Sequence, residues 1–290
     1  MLPFQYERLL EHDSIRLLVL EPSVEHSATI QCSLIHTTLD ACKNDIIDHY
    51  TALSYVWGDP ETSESILVAE KVFNITKNLF HALQDLRDND RRRRLWIDAI
   101  CIDQSNLFER NGQVSMMGSI YTQAQHTVIY LGRSTFGTEL NFEVFSTNTT
   151  AVQNPIQRSS GIRSVAEEIL SRPWFTRVWI FQELVLSQDP WIQCGRSRMQ
   201  WDEALGAIQS VSIYGKDVPN IYKVAFNMQE IRRKFQAAKF DSTISRPELV
   251  QILQSRRGFG ASDPRDRVFA HLGIASALHQ DSIQNVSRLW

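Results

Sequence analysis

The chain has 290 residues, 43% of them apolar and 22% charged, an ordinary globular balance that suffices for one large or two small domains with a sizeable core. A formal net charge of −3 gives no electrostatic footprint for a polyanion, so nucleic acid is excluded as an expected partner. No stretch approaches the roughly 20 apolar residues of a membrane span, and the start MLPFQYERLLEHD lacks the basic and then apolar pattern of a signal peptide, which predicts a soluble, cytoplasmic protein.

In chain order, Ile15 to Leu20 and Ile30 to Ile35 are short apolar runs separated by a segment containing Pro22 and Ser23, and they predict two strands paired as a hairpin. Thr51 to Trp57 predicts a third strand, stopped by Gly58, Asp59 and Pro60. Ile75, Leu79, Ala82, Leu83 and Leu86 recur at helical spacing and predict one amphipathic helix. The basic run Arg91 to Arg94 reads as a solvated loop before the next strand. That strand, Leu95 to Ile102, is an unbroken apolar run, the pattern of a central strand covered on both faces, with Leu53 to Val56 and Val128 to Leu131 expected beside it.

Val114, Met117, Tyr121 and Ala124 mark another helix face, followed by a strand over Thr127 to Leu131. Strands alternating with helices predict an α/β fold with a parallel sheet flanked by helices. The stretch from Arg133 to Gly161 is rich in Thr, Asn and Ser and reads as an exposed insertion loop. A helical pattern resumes at Ile162, Pro173 suits a first helical turn, and Val178 to Leu186 reads as helix leading to a short strand at Trp191 to Cys194. From Trp201 the chain is expected to be mainly helical, with a helix start near Asp263 and Asp266. The expected organisation is one domain over 1–200 with a helical extension, 201–290, packed on it.

Several kinds of chemistry are missing. No Gly-x-Gly-x-x-Gly follows a strand, and the nearest approach to a phosphate loop, Gly132 to Gly137, is followed by Thr138 rather than Lys. There is no Gly-x-Ser-x-Gly elbow. Cys32, Cys42, Cys101 and Cys194 are too scattered for a zinc site and predict reduced thiols, Cys101 an inert buried one. No bound metal or cofactor is expected.

What remains is three stretches that put Trp, Asp or Glu into apolar elements: YTALSYVWGDP (Tyr50 to Pro60), LWIDAICIDQ (Leu95 to Gln104) and RPWFTRVWIFQELVLS (Arg172 to Ser187). A carboxylate in such a place costs several kcal/mol unless it is hydrogen-bonded or paired, so each is kept for a network or for chemistry. Asp98, in the middle of the expected strand, reads as a buried acceptor that caps the loop after Gly58 or pairs with Arg177. Asp103 is expected at the strand's C-terminal end, the edge where open parallel sheets bind ligands. Glu109 and Arg110 open the next helix, where an acidic residue suits the dipole. Asp263, Arg265 and Asp266 read as a capping cluster that docks the C-terminal helix. Trp179 and Glu183 lie four apart on the expected helix and would share a face.

In this order the three stretches resemble the signature blocks of the fungal heterokaryon incompatibility (HET) domain, and SIRLLVLEP, ERNGQVSMMGSIYTQAQHTVIYLG and ASDPRDRVFAHLGI extend the resemblance over most of the chain. The run WIFQEL (Trp179 to Leu184) also resembles the Trp-Cys-x-x-Glu-Leu segment of Toll/interleukin-1 receptor (TIR) domains, with Ile180 in place of Cys. In the TIR members that cleave NAD the Glu of that segment is catalytic. The resemblance therefore implies a TIR-like fold, Glu183 as catalytic residue, NAD as possible substrate, and Ser54, Trp57, Asp103 and Trp179 as substrate-binding residues.

Beside that stands a purely structural role, in which Glu183 pairs with Arg177 or Arg110 and the tryptophans are core anchors. The family resemblance implies nonself recognition leading to regulated cell death, acting through self-association or a second incompatibility protein. Two mechanisms stay open, a nucleotide-depleting enzyme and a non-catalytic signalling module. A third expectation is a shortened family member with an accessory role, since the chain ends at Trp290 soon after the DPRD block.

Overall fold

The run SIRLLVL forms β1 (Ser14–Leu20), buried almost throughout because it has neighbours on both sides. It pairs antiparallel with β2 (Gln31–Thr38), as the hairpin reading expects, and antiparallel with β6 (Arg93–Trp96), while β2 runs on into the short helix α1 (Leu39–Asn44). The structure, a computed structural model, describes residues 4–44, 49–134, 155–212, 220–261 and 263–275. The chain divides into two compact units, one of Met1–Thr149 with Ser187–Trp201, the other of Thr150–Leu186 with Asp202–Trp290.

The first unit is built on a sheet in which the strands lie in the order β5 (Lys71–Thr76), β4 (Ser63–Val68), β2, β1, β6, β3 (Thr51–Tyr55), β7 (His126–Tyr130), β8 (Pro190–Cys194) and β9 (Ser197–Gln200). Its centre is a parallel run: β3 (Thr51–Tyr55) lies between β6 and β7 (His126–Tyr130), and β8 (Pro190–Cys194) follows on β7. The crossovers such pairs require are supplied by α2 (Lys77–Leu86) and α4 (Leu107–Gln123), both predicted. The α/β architecture is as expected, and the sheet as a whole is mixed, with antiparallel strands on both sides of its parallel centre. Short connections can join only antiparallel neighbours, and they add β1–β2 on one side and β8–β9 (Ser197–Gln200) on the other. Tyr121 locks α4 to the sheet: its ring meets Trp96 edge-on at 5.7 Å and its hydroxyl donates to the Leu53 carbonyl at 3.1 Å.

A hairpin of β4 (Ser63–Val68) and β5 (Lys71–Thr76) precedes α2, and Ile75 belongs to it rather than to the helix. Its two-residue turn carries Ala69 and Glu70 at φ 48° and 62°. Such a turn normally announces itself with Asn-Gly or Asp-Gly, which is why it is invisible in this sequence.

The second correction concerns Leu95 to Ile102. The strand is Arg93–Trp96, central as expected with β3 beside it, while β7 lies one strand further along. It takes in two arginines of the supposed loop. Asp98–Cys101 is a single helical turn, α3, in which the Ile100 and Cys101 N–H groups both donate to the Ile97 carbonyl. A short apolar run buried as a strand and one buried as a helical turn have the same composition, so periodicity cannot separate them.

In the second unit, α5 spans Pro155–Leu170, so the helix begins before Ile162, and residues 135–154 of the expected insertion loop lie outside the described residues. A 3₁₀ turn, Pro173–Thr176, has Pro173 in its first position, and α6 follows at Ile180–Leu186. Helices α7 (Trp201–Ser212), α8 (Asn220–Phe240), α9 (Leu249–Ser255) and α10 (Asp266–Leu272) agree with the mainly helical expectation. Ahead of α10, Asp263 accepts the Arg265 backbone N–H at 2.9 Å and pairs with its guanidinium at 2.5 Å, while its carbonyl accepts the Asp266 N–H at 3.0 Å.

Candidate functional site

The first two signature blocks meet beyond the C-terminal ends of β3 and β6. After β3 the chain reaches Trp57 and turns at Gly58, whose φ is +80°. A Cβ there would lie 2.8 Å from the Asn78 side chain, so the close approach of this loop to α2 requires glycine. Trp57 is 38% exposed, and its indole Nε1 donates to Asp98 Oδ2 at 2.9 Å. The other Asp98 oxygen accepts the Ala99 N–H at 2.8 Å, and Gln104 Nε2 donates to the Asp98 carbonyl at 2.8 Å. Asp98 is thus a half-buried acceptor at the start of α3, not a mid-strand group, and it ties block one to block two through Trp57. Ser54 is 1% exposed inside β3.

Behind this edge lies a network whose centre the sequence reading missed. Arg16 of β1 is 1% exposed and donates to Glu109 at 2.5 and 3.1 Å, to the Cys101 carbonyl at 3.1 Å and to the Glu7 carbonyl at 2.5 Å. Its guanidinium also lies 4.8 Å from the Tyr6 ring centre. Glu109 in turn accepts the Asp103 backbone N–H at 2.8 Å, while the Asp103 carboxylate accepts from Ser105 at 2.6 Å. The signal was present: Arg16 interrupts an apolar strand, and a charge in such a place needs a partner whether it is an acid or a base. Arg110 is exposed on α4.

The surface around Trp57 is acidic. Asp59 and Glu61 are exposed in the loop that follows it, Asp98 is half-buried against its indole, and Asp103, five residues on from Asp98, is half-buried as well. Further along the same edge, Tyr130 at the end of β7 donates to Asp85 at 2.6 Å, and burial, aided by that carboxylate, raises its pKa. Cys101 is fully buried, and desolvation pushes its thiol up to about 12, so it is no nucleophile.

The third block belongs to the second unit. Trp179 stands just before α6, one helical turn ahead of Glu183, and its carbonyl accepts the Glu183 N–H at 3.3 Å. The environments of the two side chains differ. Trp179 is half-buried and lines a cavity of about 350 Å³ with Arg177, Gly260 and Asp266, whereas Glu183 is 3% exposed. The backbone forms one wall: Val178 N–H donates to the Gly260 carbonyl at 3.0 Å and Gly260 N–H to the Thr176 carbonyl at 2.8 Å. Close by, Arg256 is buried between Phe259 and Phe181, at 3.4 and 4.9 Å from the ring centres, and donates to the Arg177 carbonyl at 3.4 Å. Burial lowers its pKa to about 9. Among the described residues no group of His, Cys, Asp or Glu is placed to hold a metal ion, and no helix is long and apolar enough to cross a membrane.

Residues 50–183 match the family model described as heterokaryon incompatibility protein (HET). The chain is 24% identical to heterokaryon incompatibility protein 6, OR allele, of Neurospora crassa, in a match covering 94% of this chain and 49% of that protein. It is 27% identical to vegetative incompatibility protein HET-E-1 of Podospora anserina, over 48% of this chain and 9% of that one. It therefore spans about half the length of the first relative and a small part of the second. No solved structure matches it. The match begins at the strand that leads to Trp57 and ends on Glu183, and over these residues the chain is similar to the heterokaryon incompatibility (HET) family.

Proposed function

We propose that this chain serves in heterokaryon incompatibility as a non-catalytic signalling module, whose exposed surfaces recruit a partner. The observation that carries this reading is the burial of Glu183, 3% exposed, against the 38% exposure of Trp57. A carboxylate that stabilises an oxocarbenium-like transition state must reach the ribose of its substrate. The open aromatic group is instead bonded to Asp98 and followed in its loop by the exposed Asp59 and Glu61, a setting that repels the phosphates of a dinucleotide and suits a cationic partner.

The second reading, cleavage of NAD or a related nucleotide by a TIR-like domain, keeps support from the WIFQEL run, from the parallel strands β6-β3-β7-β8 and from the cavity beside Trp179, which has room for a nicotinamide-sized ring. Incubating the purified chain with NAD and assaying free nicotinamide separates the two. The module reading expects no release, and expects Glu183→Gln to leave any growth arrest on overexpression unchanged if the variant folds. Nicotinamide release that disappears in a folded Glu183→Gln protein would overturn it in favour of the enzyme.

A further inference from the structure

Resting on the module reading, we infer that the partner is a second copy of this chain, bound head to tail: the acidic, aromatic face around Trp57 and Phe108 of one copy docks on the basic groove of α7 and α8 of the next.

The face lies in the first unit. Leu107 and Phe108, at the start of α4, are 62% and 89% exposed, and Trp57 is 38% exposed. The loops that carry them are tied together, since Trp57 donates to Asp98 and the Asp98 carbonyl accepts from Gln104, three residues before Leu107. Two large apolar side chains held at the first turn of a helix gain nothing for the fold, and such exposure marks an interaction surface. In the loops that carry them the carboxylates Asp59, Glu61, Asp98 and Asp103 outnumber the one cation, Arg110, Glu109 being already neutralised by Arg16.

The complementary feature lies in the second unit. A groove of about 550 Å³ runs between Gln209 of α7 and the Lys223 to Lys234 stretch of α8, with Phe226 in its lining. Its charges are Lys223, Arg233 and Lys234 against Glu230, and Glu230 is engaged by Lys234 at 2.7 Å. Lys223 and Arg233 are exposed. Aromatic side chains rimmed by acids on one surface, and a ring-lined groove rimmed by bases on the other, are what a charge-steered contact requires. Because the two surfaces differ, the contact is heterologous, and every added copy still presents one free face and one free groove.

The test is sedimentation velocity on the whole chain at low salt, at concentrations up to about 1 mM, where even weak specific contacts are populated. The parent should exceed twice the 33.4 kDa chain mass as its concentration rises, and return toward the single-chain mass at high salt. A face variant, Asp59→Lys with Phe108→Ser, and a groove variant, Lys223→Glu with Arg233→Glu, should each remain at the single-chain mass. Mixed in equal amounts they should stop at twice that mass, because only one intact face and one intact groove can meet. All four positions are exposed. Unchanged thermal unfolding checks the fold, with the single changes Phe108→Ser and Lys223→Glu replacing any double that fails it.

A parent that stays single-chain throughout, variants that still assemble, or a mixture that does not recover overturns the inference. So does assembly lost with the face variant but kept with the groove variant, which means a symmetric dimer. A single-chain parent that releases no nicotinamide sinks head-to-tail assembly and leaves the module reading standing. Nicotinamide release dependent on Glu183 sinks the module reading itself.

Discussion

Arg16 and Glu109, far apart in the chain, form a two-point ion pair at 2.5 and 3.1 Å in which the arginine side chain is 1% and the glutamate 10% exposed. The pair joins β1 to the first turn of α4 and, through the Asp103 N–H, holds the loop after α3. Removing one partner leaves the other desolvated and uncompensated. Arg16→Met should therefore lower unfolding stability by about 3–5 kcal/mol in a urea titration, while a surface change such as Arg110→Met should stay within about 0.5 kcal/mol.

The bond from Trp57 to Asp98 is more exposed, and its contribution should be correspondingly smaller. A double-mutant cycle with Trp57→Phe and Asp98→Ala is expected to give a coupling of about 0.5–1.5 kcal/mol. Additive single effects would mean that the two blocks are not tied through this bond.

At the β4–β5 turn, Ala69 and Glu70 both occupy left-handed backbone, which costs a side-chain-bearing residue roughly 1–2 kcal/mol. Ala69→Asn with Glu70→Gly supplies the residues this turn favours. The expected result is a gain of about 1 kcal/mol or more, read as a higher denaturant midpoint with an unchanged slope.

His271 is fully buried on α10, its ring edge-on to Phe181 at 5.4 Å, and neither ring nitrogen has a hydrogen-bond partner. Desolvation first, and the nearby Arg256 cation second, lower its pKa to about 4. The unfolded chain takes up the proton near pH 6.5 and the folded chain only near 4. Stability is therefore fully present above about pH 6.5 and is lost as pH falls through about 4, at up to roughly 1.4 kcal/mol per pH unit. His271→Leu should flatten that part of the stability profile. An unchanged slope would remove His271 as its cause.

The positions of β1, β2, β3, β7 and β8, and of α2 and α4, were legible because apolar runs and helical spacing report burial, and burial is what the core demands. The hairpin of β4 and β5 was not, since Ala69 and Glu70 adopt a turn that their side chains do not favour. The boundary within Leu95 to Ile102 was hidden for another reason: a short strand and a helical turn that are equally buried have the same apolar composition.

The sequence by itself carried the resemblance to the heterokaryon incompatibility family, because three blocks of tryptophan and carboxylate in fixed order depend on no coordinates, and it marked Asp98, Asp103 and Glu109 as charges that needed partners. Which partners they have was decided only by tertiary structure. Asp98 meets Trp57, and Glu109 meets Arg16 across 93 residues, by pairings of strands and helices that no local pattern encodes. The structure alone also separated Trp179, at the wall of a cavity, from Glu183, buried one helical turn later. Exposure depends on what packs over a side chain, and residues distant in sequence supply that cover.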